Sequence, residues 1–384
     1  MHNKVIFANG TLDGNIHEMI DSSLILSFAH AYKSVEVYSL NKRIEAIKKL
    51  IKAEQGEWTI LYKGFKSFKR TSFYKDLWGA VLDAYVYLFK GNKDSLYFYS
   101  YSNVFSRHVL NLLCKIAHKD AIICVHSELE VAKRLPAESD NYWTKLMRSF
   151  YFNTKYSRHL RIMVLGDNIL SNLKNYLGED RLCHYMSIDH LYFNNRENST
   201  HSFNNQDIHI GVVGAITKSQ GRGFDNLVRF ANSINKVKGI NLHVISKIDH
   251  ALLNTLPSNV VIDNPSGEYL SKEKYEYIIN SMDYLYYPYP KDSFELTASG
   301  SIFESITNGK PALMYSNSYF VYLSKKYGDF GYFLDNLTSD EMLNFLQDES
   351  MYNQLTNNMA DIIAKVNPLG MSEELKLKCE SICL

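Results

Sequence analysis

Short apolar runs alternate with helical periodicity along the whole chain. Period-two or continuous apolar stretches predict strands near Val5–Ala8, Val35–Leu40, Trp58–Tyr62, Leu96–Ser100, Ala121–His126 and Arg161–Leu165. They recur near Ile208–Val213, Asn241–Ser246, Val260–Asp263, Tyr284–Tyr289 and Pro311–Tyr315. Between them lie amphipathic stretches such as Glu18–Tyr32 and Arg107–Ala117. Regular strand–helix alternation predicts parallel βαβ units and an α/β fold. The pattern breaks once: Asn194–Gln206 has almost no apolar content and reads as a linker. The expected division is a Rossmann-like, doubly wound domain over 1–190, a linker over 191–206 and a second such domain over 207–365. A helical tail over 366–384 follows.

Length agrees with this division, because 384 residues exceed what one core usually holds. Lys and Arg (42) balance Asp and Glu (41), so bulk charge gives no reason to expect nucleic acid as a partner. The five cysteines show no C-x-x-C spacing, which predicts reduced thiols and a cytoplasmic protein. Cys379 and Cys383 stand one helical turn apart; two small apolar residues on a terminal helix is the favoured reading over metal or redox work. The start of the chain has no signal-peptide pattern, and no apolar run reaches membrane-spanning length. The 28 tyrosines read as interior and surface packing residues.

Two segments carry chemistry. In the first, Tyr286-Tyr-Pro-Tyr-Pro290 ends a strand, Ser299-Gly-Ser301 forms a loop, and a helix follows with Glu304 in its first turn and Gly309 past its end. Backbone N–H groups at such a helix start point at one spot, where the macrodipole favours an anion. A glutamate in that turn can grip a neighbouring hydroxyl, so the pair suits a nucleoside diphosphate. In the second, Ile208–Leu227 gives a strand, a Gly/Ser-rich loop and a helix start. Gly214, Gly221 and Gly223 permit close backbone approach, and Lys218 and Arg222 can neutralise a diphosphate.

Glu304 with Ser305-Ile-Thr-Asn-Gly-Lys-Pro311, and Arg222-Gly-Phe-Asp-Asn-Leu227, resemble the donor-site motifs of GT-B glycosyltransferases, in particular the retaining E-x7-E enzymes. The resemblance implies two Rossmann-like domains facing a central cleft. It implies a nucleotide-sugar donor held by Gly214, Lys218, Arg222, Ser299, Gly300 and Ser301, with Glu304 on the ribose and Tyr269 near the base. Two departures stand out. Glu295 lies nine positions before Glu304, giving E-x8-E, and Ala215 occupies the place of a customary arginine.

In the first half, Gly10 and Gly14 flank a loop after the first strand, expected at the cleft and near the acceptor. His126 closes another strand, with Glu128 and Glu130 beside it, and any of the three could serve as base. His126 and Glu295 are the groups expected near the reacting carbon. Residues 42–75 hold ten Lys/Arg and three Glu interleaved with aromatics, including Trp58, Tyr62 and Phe65. They suit an anionic membrane surface, in competition with an ordinary solvated basic face. No Asp-x-Asp triplet occurs, so no metal or other cofactor is expected.

The function expected is sugar transfer from a nucleotide sugar to a carbohydrate or lipid-linked hydroxyl acceptor, in surface polysaccharide or glycoconjugate synthesis. The enzyme would be cytoplasmic, or peripheral at the plasma membrane's inner face. Two readings stay open beside it: a nucleotide-sugar epimerase, and a non-catalytic subunit of polysaccharide assembly.

Overall fold

The computed structural model describes residues 2–381 except 14–16, 53, 55, 68–71, 134–139, 193–206, 217–222, 236, 269 and 336–338. The chain forms two compact units. The first comprises Met1–Asn195, Leu296–Ala298 and Lys365–Leu384, and the second Arg196–Glu295 and Ser299–Ala364.

The first unit is built on seven strands: β1 (Lys4–Asn9), β2 (Ser34–Leu40), β3 (Thr59–Phe65), β4 (Ser95–Tyr99), β5 (Ala121–Cys124), β6 (Leu160–Val164) and β7 (Tyr185–Ser187). All pair in parallel, in the order β3-β2-β1-β4-β5-β6-β7. Helices cover both faces, which is why the inner strands read as continuous apolar runs. These helices are α1 (Glu18–Tyr32), α2 (Asn41–Ile51), α3 (Ser72–Phe89), α4 (Val104–Ala117), α5 (Tyr142–Arg148), α6 (Asp167–Leu173) and α7 (Glu179–Leu182). Alternate strand residues serve opposite cores. Val5, Phe7, Val35 and Val37 pack under α1 and α2, whereas Ile6, Ala8, Tyr38 and Tyr97 pack under α3 and α4. The edge strand β3 follows the same alternation. Ile60 and Tyr62 join the first core and Phe65 the second.

The second unit carries β8 (Ile208–Val212), β9 (Ala215–Ile216), β10 (Ile240–Val244), β11 (Lys247–Ile248), β12 (Val260–Ile262), β13 (Tyr284–Tyr287), β14 (Ala312–Met314) and β15 (Gly331–Phe333). Six of them form a parallel sheet in the order β12-β10-β8-β13-β14-β15, and β9 pairs separately with β11. The helices are α8 (Phe224–Ile234), α9 (His250–Leu253), α10 (Lys272–Asn280), α11 (Phe303–Asn308), α12 (Ser318–Tyr327), α13 (Ser339–Leu346) and α14 (Glu349–Val366). A last helix, α15 (Ser372–Glu380), packs on α1 and puts Met371, Leu375 and Cys379 into the first unit's core. Cys379 is therefore a buried apolar residue; Cys383 lies outside the described residues. Among the described residues no helix is long and apolar enough to cross a membrane.

The helical stretch 339–366 is divided in two at Gln347–Asp348. Asp348 accepts the N–H of Met351 at 3.0 Å through Oδ1, which caps a new helix start. The two-residue strands and β7 are too short to leave a periodic signal.

Asp21 and Asp83, on two helices of the first unit, are buried. Asp21 on α1 takes a 2.6 Å ion pair from Arg43 on α2 and a 3.3 Å bond from the Asn9 amide. Asp83 on α3 accepts the Gly10 N–H at 3.1 Å. Burial raises the Asp83 carboxyl from 3.8 to about 7, against hydrogen bonds from Ser106 and Gly10 that favour its charge. Between those values the native state keeps a proton that the unfolded state has released, so this group's stabilisation is lost as pH rises across that window. Asp83→Asn preserves an acceptor for Gly10 and cannot ionise. In thermal melts from pH 4 to pH 8, the variant should gain on wild type steadily up to about pH 7 and be the more stable form above it.

Candidate functional site

In each unit the direction of strand progression reverses once. It does so between β8 and β13 in the second unit and between β1 and β4 in the first. Ligands of doubly wound sheets bind beyond the carboxyl ends of strands at such a point.

In the second unit β8 runs out at Val212 and β13 at Tyr287. Gly214 follows β8 with φ 91°, and a Cβ there would lie 2.0 Å from the Tyr289 hydroxyl. Gly223 precedes α8 with φ 79°, and its Cβ would lie 2.2 Å from the Pro288 carbonyl oxygen. The same oxygen accepts the Asn226 side-chain amide at 3.0 Å. Both ends of the Gly/Ser-rich loop therefore press on Pro288 and Tyr289, and only glycine meets both the space and the backbone angle. Lys218, Gly221 and Arg222 within that loop, and Tyr269 on the next one, lie outside the described residues.

The loop Ser299–Ser301 is held from below. The Tyr287 hydroxyl, inside the sheet, donates to the Ser301 carbonyl at 3.0 Å. It accepts the Ser305 N–H at 3.2 Å and lies 3.1 Å from the Ser305 hydroxyl. Burial pushes the phenol far up, so it stays protonated and can donate. Ser299 and Ser301 share a hydroxyl contact of 3.1 Å, with Ser299 buried and Gly300 exposed. Among the described residues, the N–H groups of 299–302 donate no hydrogen bond, whereas those of Phe303 and Glu304 turn back onto Gly300 and Ser301. Four consecutive donors are thus left for something else to satisfy.

Glu304 sits in the first turn of α11, half-buried, and Asn308 reaches both its carbonyl (2.7 Å) and its Oε2 (3.4 Å). Gly309 closes the helix with φ 60°. Lys310, just beyond, is buried against the Asn280 carbonyl at 3.3 Å, and burial lowers it to about 8. It stands at the far end of the helix from Ser299 and belongs to the packing. Glu295 is half-buried and follows Phe294, a left-handed residue (φ 58°) packed between Tyr289 and Phe320. Lys291, on the same loop, pairs with Asp335 at 2.9 Å; no motif marks it in the sequence.

At the first unit's reversal point, Asn9 bridges β1 to Ser100 beyond β4 at 3.3 Å and accepts the N–H of Leu12 at 3.0 Å. Gly10 follows. A Cβ there would come within 2.9 Å of Asp83 and the Gly79 carbonyl, so close packing on α3 accounts for this glycine. Gly14 lies outside the described residues.

His126 stands two residues beyond β5, half-buried. Its Nε2 lies 2.8 Å from the Ser100 carbonyl, which can only accept. The neutral ring therefore carries its proton on Nε2 and leaves Nδ1 as an acceptor. The backbone is fixed from two sides. The His126 N–H donates to Glu128 Oε2 at 2.7 Å, and its carbonyl accepts the Thr297 hydroxyl at 3.1 Å. Glu128 is committed elsewhere too: its Oε1 is 2.6 Å from the buried guanidinium of Arg107, which also reaches Ser102 and Tyr151. Burial pushes the Glu128 carboxyl up, but Arg107 and His126 together hold it below its usual range. Glu130 accepts the Leu296 N–H at 2.9 Å and faces Lys133 at 3.4 Å. Of the three groups that could act as base, only His126 keeps an acceptor atom, Nδ1, that no described bond engages.

Two further histidines gather here that sequence spacing does not reveal. The His17 ring lies 4.6 Å from that of His126. His17 keeps an exposed edge, yet crowding and then His126 lower it to about 4. His190, fully enclosed, is lowered to about 3 by burial and then His126. Both are neutral at physiological pH.

No family model matches the chain, and no curated protein matches it either. Solved structures match it in shape along nearly its whole length. HepE of Anabaena, solved with UDP and glucose, is 12% identical over 99% of this chain and 100% of its own, with a TM-score of 0.59. Sucrose-phosphate synthase of Thermosynechococcus elongatus is 10% identical over 100% and 99%, with a TM-score of 0.61. WaaG, a glycosyltransferase involved in lipopolysaccharide biosynthesis, is 12% identical over 97% and 98%, with a TM-score of 0.56. At such identities the likeness carries the fold: the chain has the GT-B architecture of these neighbours.

The loop geometry makes a direct prediction. Tyr287→Phe removes one of two donors described for the Ser301 carbonyl, leaving the Glu304 N–H, and leaves the Ser305 N–H only the Ile302 carbonyl. The second unit should lose about 0.5–1.5 kcal/mol, and hydrogen exchange at the Ser305 amide should accelerate while that of Leu285 changes less.

Proposed function

We propose that the protein transfers a sugar from a nucleoside-diphosphate sugar to a hydroxyl acceptor. The observation that carries this reading is the set of four undonated N–H groups at 299–302, seated at the second unit's reversal point with Glu304 one turn further on. Such donors suit the charge of a diphosphate, both when bound and as it departs. In this reading Gly214, Ser299, Gly300 and Ser301 admit and hold the diphosphate, assisted by Lys218 and Arg222. Glu304 accepts from the ribose hydroxyls and Tyr269 meets the base. Charge on the departing diphosphate is met by these cations and N–H groups rather than by a metal held in an Asp-x-Asp triplet, which the sequence lacks.

On the first unit, His126 Nδ1 is the acceptor suited to take the proton of the attacking hydroxyl. Glu295 is assigned to the neighbourhood of the reacting carbon. The bond from the anomeric carbon to the diphosphate oxygen breaks as the bond to the acceptor oxygen forms, and the diphosphate leaves with the electron pair. The HepE structures hold UDP and UDP-glucose, and WaaG acts in lipopolysaccharide synthesis. These support a uridine-linked donor as the first probe and a surface-polysaccharide role.

Thermal shift against a panel of nucleoside diphosphates and their sugars tests the reading. Binding to the folded state alone raises the melting temperature, by about 2.7 kcal/mol of added stability at a hundredfold excess over Kd. One base family should shift wild type, and Glu304→Ala should melt normally without ligand but lose most of that shift. A flat response across the whole panel would dispose of the donor site.

A further inference from the structure

α3 turns an apolar face outward. Tyr74, Leu77, Trp78, Val81, Tyr85 and Leu88 fall at i, i+3, i+4, i+7, i+11 and i+14, one stripe of the helix, and all are exposed. Phe89 at its end is 69% exposed. The opposite side is apolar as well, with Ala80, Leu82, Val86 and Tyr87 buried on the sheet. A helix apolar all round is normally covered on every side. Leu112 and Ile116 of the neighbouring α4, 56% and 67% exposed, widen the patch. Contiguous exposed apolar surface of this kind marks an interaction site.

The charges around it identify the occupant. α4 has no carboxylate, and of the two on α3, Asp83 is buried and Asp76 half-buried. Cations stand at the margin. Lys90 lies 4.8 Å from the Tyr85 ring centre, Lys115 is exposed beside Ile116, and Lys63 projects from the same face of β3 as Phe65, which contacts Tyr85 at 6.3 Å. Lys63 also pairs with Glu36 at 2.8 Å. A second copy of the chain docked face to face would set these lysines against themselves, with no exposed carboxylate on α3 or α4 opposite. An anionic surface would meet them. Tyr74, Trp78 and Tyr85, each with an apolar ring and a polar tip, suit a boundary between hydrocarbon and water.

We propose that the outer face of α3, widened by α4, docks on an anionic lipid bilayer with the helix in the plane of the headgroups. The assignment is independent of the donor site. It also moves the contact away from most of the basic stretch that composition singles out. Lys48, Lys49 and Lys52 of that stretch line a groove of about 610 Å³ with Trp58, Ile60 and Tyr62, on the opposite face of the sheet and with Glu45 and Glu54 among them.

Vesicle flotation of the full chain tests this, with phosphatidylcholine vesicles and with phosphatidylcholine–phosphatidylglycerol vesicles, alongside sedimentation velocity without lipid. Wild type should float with the anionic vesicles only, less so at high salt. Leu77→Ser/Leu88→Ser and, separately, Lys90→Glu should each reduce binding about tenfold with unchanged melting, while Lys48→Glu/Lys49→Glu should bind as wild type. Absence of flotation, equal flotation on neutral vesicles, or undiminished binding by the α3 variants would overturn the proposal. So would a concentration-dependent dimer that Leu77→Ser/Leu88→Ser dissociates.

Discussion

The second unit hangs on the exit of one strand. Tyr287, Pro288 and Tyr289 are consecutive, and each fixes a different element: the first turn before α11 through the Tyr287 hydroxyl, the start of α8 through the Pro288 carbonyl, and the turn after β8 through the Tyr289 side chain. A buried hydroxyl can hold a loop in this way because leaving its partners unpaired in the interior is expensive. The loop positions are therefore set by the sheet, the stiffest part of the unit, rather than by contacts among the loops themselves. That is the arrangement a site needs if its donors are to be in place before a ligand arrives.

The first unit reaches the same end with buried charge. Arg107 holds Glu128, Glu128 holds the His126 backbone, and the Ser100 carbonyl sets the tautomer of the ring. Removing Arg107 would strand a carboxylate in the interior, so the histidine's orientation is bound up with the stability of its unit. The side chain left with an unused acceptor is the one whose surroundings are most fully committed.

Strand–helix alternation made the α/β architecture legible, because apolar runs of strand length survive in the sequence whatever their neighbours do. Gly214 and Gly223 were marked by the sequence as points of close approach, and the close neighbours the structure describes are Tyr289 and Pro288. The work of the tyrosines was not legible. Composition treats them as packing, and only the registry of β13 under the 299–301 loop shows that Tyr287 acts through its hydroxyl. His17 and His190 carry no spacing signal, since 173 positions separate residues that converge on His126. Glu128 and Glu130 looked equivalent to His126 until their partners were known. The outward stripe of α3 was hidden for a related reason: periodicity reports which residues share a face, but in a helix apolar on both sides it cannot say which face the sheet takes.

The packing of α15 on α1 has a consequence for how the chain is made. Ile20, Leu24 and Phe28 leave the ribosome early, yet Met371, Leu375 and Cys379, which share their core, follow the entire second unit. The first unit therefore cannot finish folding when its own seven strands are complete. It must wait, with one flank of apolar surface uncovered, through the synthesis of its neighbour. Contacts of such long sequence separation are slow to close and leave intermediates prone to association. A chaperone that occupies the α1 flank during that interval would find it open only in nascent chains.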